Sequence, residues 1–89
     1  MSSDEAYSVV VSRPAQKDIR SLDQTTRNRV LQALRHLAAE PRPHACRKLV
    51  TEENLWRVRV GDYRVIYSID DGARIVQVIG VRHRSKAYE

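Results

Sequence analysis

The chain has 89 residues, with 16 Lys and Arg against 11 Asp and Glu, a formal net charge of +5 and a pI near 9.9. That length allows one domain with one modest core and leaves no room for a separate cofactor-binding unit. The single cysteine, Cys46, excludes an internal disulfide and any cysteine-built metal site, and no His, Asp or Glu pair has metal-ligand spacing, so neither metal nor cofactor is expected. No apolar run approaches the ~20 residues that span a bilayer, and MSSDEAYS lacks the basic and apolar regions of a signal peptide. A soluble, cytoplasmic protein with no membrane partner is the expectation. The charge is uneven: residues 1–41 carry +1 and residues 42–89 carry +4, which favours an acidic partner for the second half.

Residues 1–6 are polar and expected to be loose. Tyr7–Ser12, YSVVVS, is β-branched and predicts a first strand. Pro14 suits the first turn of a short helix running to about Leu22, with Ala15, Ile19 and Leu22 on one stripe. Asp23 is a good N-cap for a second helix ending near Glu40, whose stripe is Val30, Leu31, Leu34, Leu37 and Ala38. Pro41-Arg42-Pro43 stops it. Residues 44–54 read as a connecting segment. Strands follow at Leu55–Val60, Tyr63–Ile69 and Arg74–Val81, with turn signals at Gly61-Asp62 and Asp71-Gly72. The layout predicts an α+β domain over residues 1–89, with the N-terminal strand and helical hairpin packed on one face of an antiparallel sheet. Val58, Val60, Val65, Tyr67, Val76 and Val78 face the helices in this reading. Trp56 shares their side and belongs to the core rather than to a ligand.

The stretch LWRVRVGDYRVIY carries the functional signal. Strand side chains alternate, so Trp56, Val58 and Val60 point one way and Arg57 and Arg59 the other. A two-residue loop at Gly61-Asp62 pairs Val60 with Tyr63, Arg59 with Arg64, Val58 with Val65 and Arg57 with Ile66. Arg59 and Arg64 then face each other, and like charges directly opposite destabilise a sheet. A face built at such a cost asks for a polyanion, and an RNA backbone is the obvious one.

LWRVRVGDYRVIYSIDDG and VRHRSKAY resemble the RelE/ParE superfamily of bacterial toxins, and the terminal R-H-R-x-x-x-Y run points to the RelE-like branch. The resemblance implies a RelE-like, microbial-RNase-like fold and a toxin that enters the ribosomal A site and cleaves messenger RNA. It matches Arg57, Arg59, Arg64, Arg82 and Tyr88 to the family's functional positions. The best-known RelE has lysines where this chain has Arg57 and Arg59, and arginine keeps its proton, so neither is a general base here.

RNA can be cut without a metal when its own 2′-hydroxyl attacks the adjacent phosphate. Guanidinium groups suit the charged phosphorane, which assigns Arg57, Arg59 and Arg64 to phosphate binding and transition-state stabilisation. Arg82 sits at a strand end, where the pattern does not decide its face; the resemblance adds it to the set. His83 is the best proton-transfer candidate by chemistry. Tyr88 could stack on a base, orient the 2′-hydroxyl or relay a proton. Lys48, Arg84 and Lys86 complete the expected RNA-binding set. Two other readings remain: a ParE-like inhibitor of DNA gyrase, and a non-catalytic toxin-fold module that binds an antitoxin. The resemblance also implies a RelB-like antitoxin that folds on binding, with ribosome and messenger RNA as targets and operator DNA reached through the toxin–antitoxin complex.

Overall fold

In the computed structural model, which describes residues 6–49 and 54–86, the order is β1 (Ser8–Val11), α1 (Arg13–Arg20), α2 (Gln24–Ala39), β2 (Arg47–Lys48), β3 (Trp56–Val60), β4 (Tyr63–Asp70) and β5 (Ile75–His83), followed by a 3-10 turn at Arg84–Lys86. Of the tail expected to be loose, only Ala6 is among the described residues, and Tyr88 lies outside them.

The caps are where local chemistry puts them. The Ser12 hydroxyl accepts from the Ala15 N–H at the start of α1, with Pro14 in the first turn, and the Asp23 carboxylate accepts from the Thr26 N–H at the start of α2. Helix α2 stops at Ala39, just before Pro41 and Pro43. Ala15, Ile19, Leu22, Val30, Leu34 and Leu37 are buried against Val58, Val60, Val65, Tyr67, Ile69, Val76, Val78 and Val81. The expected core stripe holds except at Leu31, which is 37% exposed beside the half-buried Ala38. Among the described residues no helix is long and apolar enough to cross a membrane.

The five strands form one sheet in the order β1-β5-β4-β3-β2. Strands β3, β4 and β5 are the expected antiparallel meander. The sheet is nonetheless mixed, because β1 joins it as an edge strand parallel to β5, with Val9 opposite Val76 and Val11 opposite Val78. Two further details differ from expectation. Residues 47–48 of the presumed connector form β2, a two-residue basic edge too short to show a period. The second hairpin loop lies one place later than the strand ends expected, at residues 71–74 rather than 70–73, since Asp70 pairs with Ile75. Its left-handed residue is Arg74 at φ 58°, and the Asp70 carboxylate accepts from the Ala73 N–H.

Tyr7, Arg42 and Asp71 tie the loop end of the sheet together. The Tyr7 hydroxyl donates to Asp71 at 2.6 Å, and Arg42 grips the same carboxylate with two nitrogens at 2.9 and 3.2 Å. The hydrogen bonds from Arg42 and Tyr7 hold the Asp71 carboxyl below its ordinary 3.8. A depressed carboxyl stabilises the fold above its unfolded pKa and loses that contribution as pH falls through the lowered folded value. The melting advantage of wild type over Asp71→Asn is therefore expected at neutral pH and should vanish in acid below the usual carboxylate range. Thermal melts across that range check it. A pair this exposed keeps the effect small.

Candidate nucleic-acid interface

The β3–β4 turn is the two residues Gly61 and Asp62, with Gly61 at φ 61°, a left-handed conformation open to glycine. That turn sets the register read from the sequence: Arg59 lies opposite Arg64, and Arg57 opposite Ile66. Because Val58, Val60 and Val65 are buried against the helices, the intervening arginines emerge on the far face. Arg59 is exposed; Arg57 and Arg64 are half-buried.

The rung continues into β5, where Arg82 is the direct partner of Arg64. Alternation from Val76 and Val78 would turn Gly80 and Arg82 toward the helices. The register shifts by one at this point, since Ile66 pairs with Gly80 but Tyr67 with Val78, which leaves Ile79 as an extra residue. This bulge reverses the faces beyond it, so Val81 enters the core and Arg82 joins the arginines. The Ser12 hydroxyl donates to the bulged Ile79 carbonyl at 3.2 Å. One rung thus carries Arg59, Arg64 and Arg82 on three adjacent strands, with facing Cβ atoms about 5 Å apart in such pairs.

Arg82 has a carboxylate beside it. Its Nη1 donates to Asp18 Oδ2 at 2.6 Å, and the same oxygen accepts from the Val81 N–H at 3.0 Å. Each side chain of this pair keeps about a third of its surface in solvent. The guanidinium crosses Gly80, where an added Cβ would lie 2.9 Å from Nη1.

The expected residues do not all gather on this face. His83 is the partner of Tyr63, on the side of Val65 and Val81, and its ring meets Tyr63 edge-on at 5.2 Å. Its Nδ1 lies 3.0 Å from the Ser85 hydroxyl. The imidazole therefore points away from the arginine rung, as strand alternation after Arg82 requires. Lys48 pairs with Trp56 and shares the helix side, with its Nζ 5.9 Å from the indole centroid; Arg42 lies over the same ring at 5.1 Å. Trp56 is half-buried and packs against the core, as expected. Arg84 is exposed in the terminal 3-10 turn, where its N–H donates to the Asp62 carbonyl and draws that turn against the β3–β4 loop. Lys86 closes the same turn.

Two participants were missed. Arg47 faces Arg57 across β2 and β3 and extends the basic face to the sheet edge. A two-residue strand gives no alternation to read, and Lys48 was expected on this face in its place. Asp18 sat on a helix stripe with nothing in the sequence to link it to Arg82, 64 positions away.

The face Arg47, Arg57, Arg59, Arg64 and Arg82 offers permanently charged, planar donors that match phosphate oxygens in pairs. It has no local group suited to proton transfer among these five. Among the described residues no three His, Cys, Asp or Glu side chains come together as a metal site.

Comparison with known proteins agrees with this geometry. The family model for the ParE toxin of type II toxin–antitoxin system, parDE, matches residues 9–88. The chain is similar to Toxin RelE of Mycobacterium tuberculosis, 33% identical over 93 residues, covering 99% of this chain and 92% of that protein. Among solved structures it resembles the archaeal RelE-RelB complex from Pyrococcus horikoshii OT3 at 30% identity and a TM-score of 0.81, covering 92% of this chain and 99% of that one. It also resembles the intact E. coli RelBE toxin–antitoxin complex at 28% identity and a TM-score of 0.77, covering 94% and 100%. A fold shared along nearly its whole length and a relative one-third identical lead to one conclusion: the chain belongs to the RelE/ParE family and is a RelE-like toxin of a type II toxin–antitoxin system.

Proposed function

We propose that this toxin is an endoribonuclease that cleaves messenger RNA on the ribosome and so inhibits translation. The observation that supports it is the rung Arg59-Arg64-Arg82, flanked by Arg57 and Arg47. In the proposed reaction the RNA 2′-oxygen forms a bond to the adjacent phosphorus while the bond from phosphorus to the 5′-oxygen breaks. The arginines hold the phosphate and stabilise the charge that builds on the phosphorane. A base takes the 2′-proton and an acid supplies one to the departing 5′-oxygen, leaving a 2′,3′-cyclic phosphate and a 5′-hydroxyl. Arginines keep their protons, so these transfers fall to Tyr88 or to His83, whose imidazole would have to leave Tyr63 and swing around the strand end. Arg84 extends the RNA path past β5.

The proposed regulator is a cognate antitoxin that folds on binding, as the RelB-containing complexes among the structural neighbours suggest. A shallow, mostly apolar groove lined by Val9, Val11, Leu31, Leu34, Arg35 and Ala38 supports that reading, with β1 forming an open sheet edge beside it. The toxin–antitoxin complex would carry operator binding. The ParE family match keeps gyrase inhibition as the second reading.

The test is primer extension on messenger RNA in a translating extract, with wild type beside Arg64→Ala, His83→Ala and Tyr88→Ala. Cuts within codons that need ribosomes and disappear in Arg64→Ala are the expected result. His83→Ala is expected to keep most of the cleavage, because its ring lies on the other face. A folded wild type that leaves messenger RNA intact but blocks gyrase supercoiling would replace this reading with the second one.

A further inference from the structure

We infer that Asp18 is a positioning residue for Arg82, an inference that rests on the ribonuclease reading above. Arg82 leaves β5 on the same face as Arg64, its direct partner, so repulsion would drive its long side chain outward into solvent. Two features oppose that. The Asp18 carboxylate is anchored independently of Arg82, because its Oδ2 also accepts the Val81 N–H at 3.0 Å, a donor that β1 does not reach past Val78. Arg82 docks on that fixed oxygen through Nη1 at 2.6 Å. Below it, Gly80 supplies a bare Cα: a side chain there would lie 2.9 Å from Nη1, 3.3 Å from Cζ and 3.4 Å from Nη2. Asp18 fixes Nη1 of the guanidinium, which lies flat across the strand. A guanidinium is planar and rigid, so fixing one nitrogen sets the orientation of the whole group.

Helix α1 therefore does more than cover the core. Ile19 is buried in the core while Asp18, one residue earlier, reaches around the free edge of β5 to the opposite face. The ion pair also offsets the charge at one end of the three-arginine rung. Arg57 and Arg59 remain to attract RNA, so the loss of Asp18 should fall on the chemical step rather than on encounter.

The experiment is ribosome-dependent cleavage kinetics with wild type, Asp18→Asn, Arg82→Ala, the double variant and Gly80→Ala, beside the Arg82 Nε–H resonance in the free protein. Asparagine still accepts the Val81 N–H, so Asp18→Asn is expected to melt close to wild type. Its kcat should fall about 10-fold, on the scale of misplacing a reacting group by a fraction of an ångström. Its KM should stay within about twofold, since uniform binding is untouched. Gly80→Ala should reproduce the kcat loss by lifting the guanidinium, Asp18→Glu should restore part of it, and in the Arg82→Ala background Asp18→Asn should have no further effect. The Arg82 Nε–H signal should exchange faster with solvent in Asp18→Asn. Cleavage by Asp18→Asn at or above the wild-type rate, or losses that simply add in the double variant, would overturn the inference. If wild type itself fails to cleave, the ribonuclease reading falls, and an Arg82 resonance unchanged by Asp18→Asn would then remove the clamp as well.

Discussion

Arg59→Glu is expected to abolish toxicity while leaving the melting temperature unchanged or slightly raised. Arg59 is exposed and faces Arg64, so a glutamate there exchanges a like-charge contact for an attractive one across the strands. On the functional side, the same change removes a phosphate donor and puts a negative charge in the path of the RNA. Loss of one preorganised donor to a developing oxyanion costs about 100-fold or more, and charge reversal should exceed that. Growth arrest on induction, primer extension and a thermal melt on the same protein check the three parts. A variant that loses both toxicity and fold would mean that the arginine face is structural. Replacing Arg59 by lysine should retain part of the activity, because the charge stays and only the paired geometry is lost.

Tyr67→Ala is expected to leave much of the chain unfolded at physiological temperature. Tyr67 is fully buried in the centre of the sheet, and its hydroxyl donates to the Pro41 carbonyl at 2.8 Å. Burial is the largest cause of its raised phenol pKa. Removing a buried aromatic ring costs about 3–5 kcal/mol, a large share of the ~5–15 kcal/mol that holds a small domain together. Tyr67→Phe should be milder, about 1–3 kcal/mol, since it keeps the ring and strands only the Pro41 carbonyl. Equilibrium urea unfolding of the two variants separates packing from the hydrogen bond. Near-equal destabilisation would show that the link from β4 to the Pro41 turn, rather than the ring, holds this part of the core.

Much of the fold was legible because its determinants are local. Pro14, Asp23 and Pro41 punctuate the helices by rules that involve only neighbouring residues, and Gly61 sets a hairpin whose register follows from loop length alone. Arg59 and Arg64 could be paired in advance for that reason. The second hairpin was less legible. The strand ends placed a four-residue loop at 70–73, but it lies at 71–74, because Asp70 pairs with Ile75 and caps the loop while Arg74 takes the left-handed position. Lys48 was expected on the arginine face and Arg47 holds that place, since a two-residue strand has no period to read.

Local sequence patterns are enough to specify an α+β domain, the apolar face of the meander and three arginines on its other side. These depend on period-two and period-3.6 patterns, which are properties of adjacent residues. Tertiary structure alone decided that β1 pairs parallel with β5, that the Ile79 bulge turns Arg82 onto the arginine face and His83 away from it, and that Asp18 meets Arg82. A bulge moves every later side chain of its strand to the opposite face, and Gly80 within the strand hints at one without fixing where the register slips. Its hydrogen bonds go to Ser12 and Asp18, which belong to the start of the chain and are placed only when α1 docks along the edge of β5.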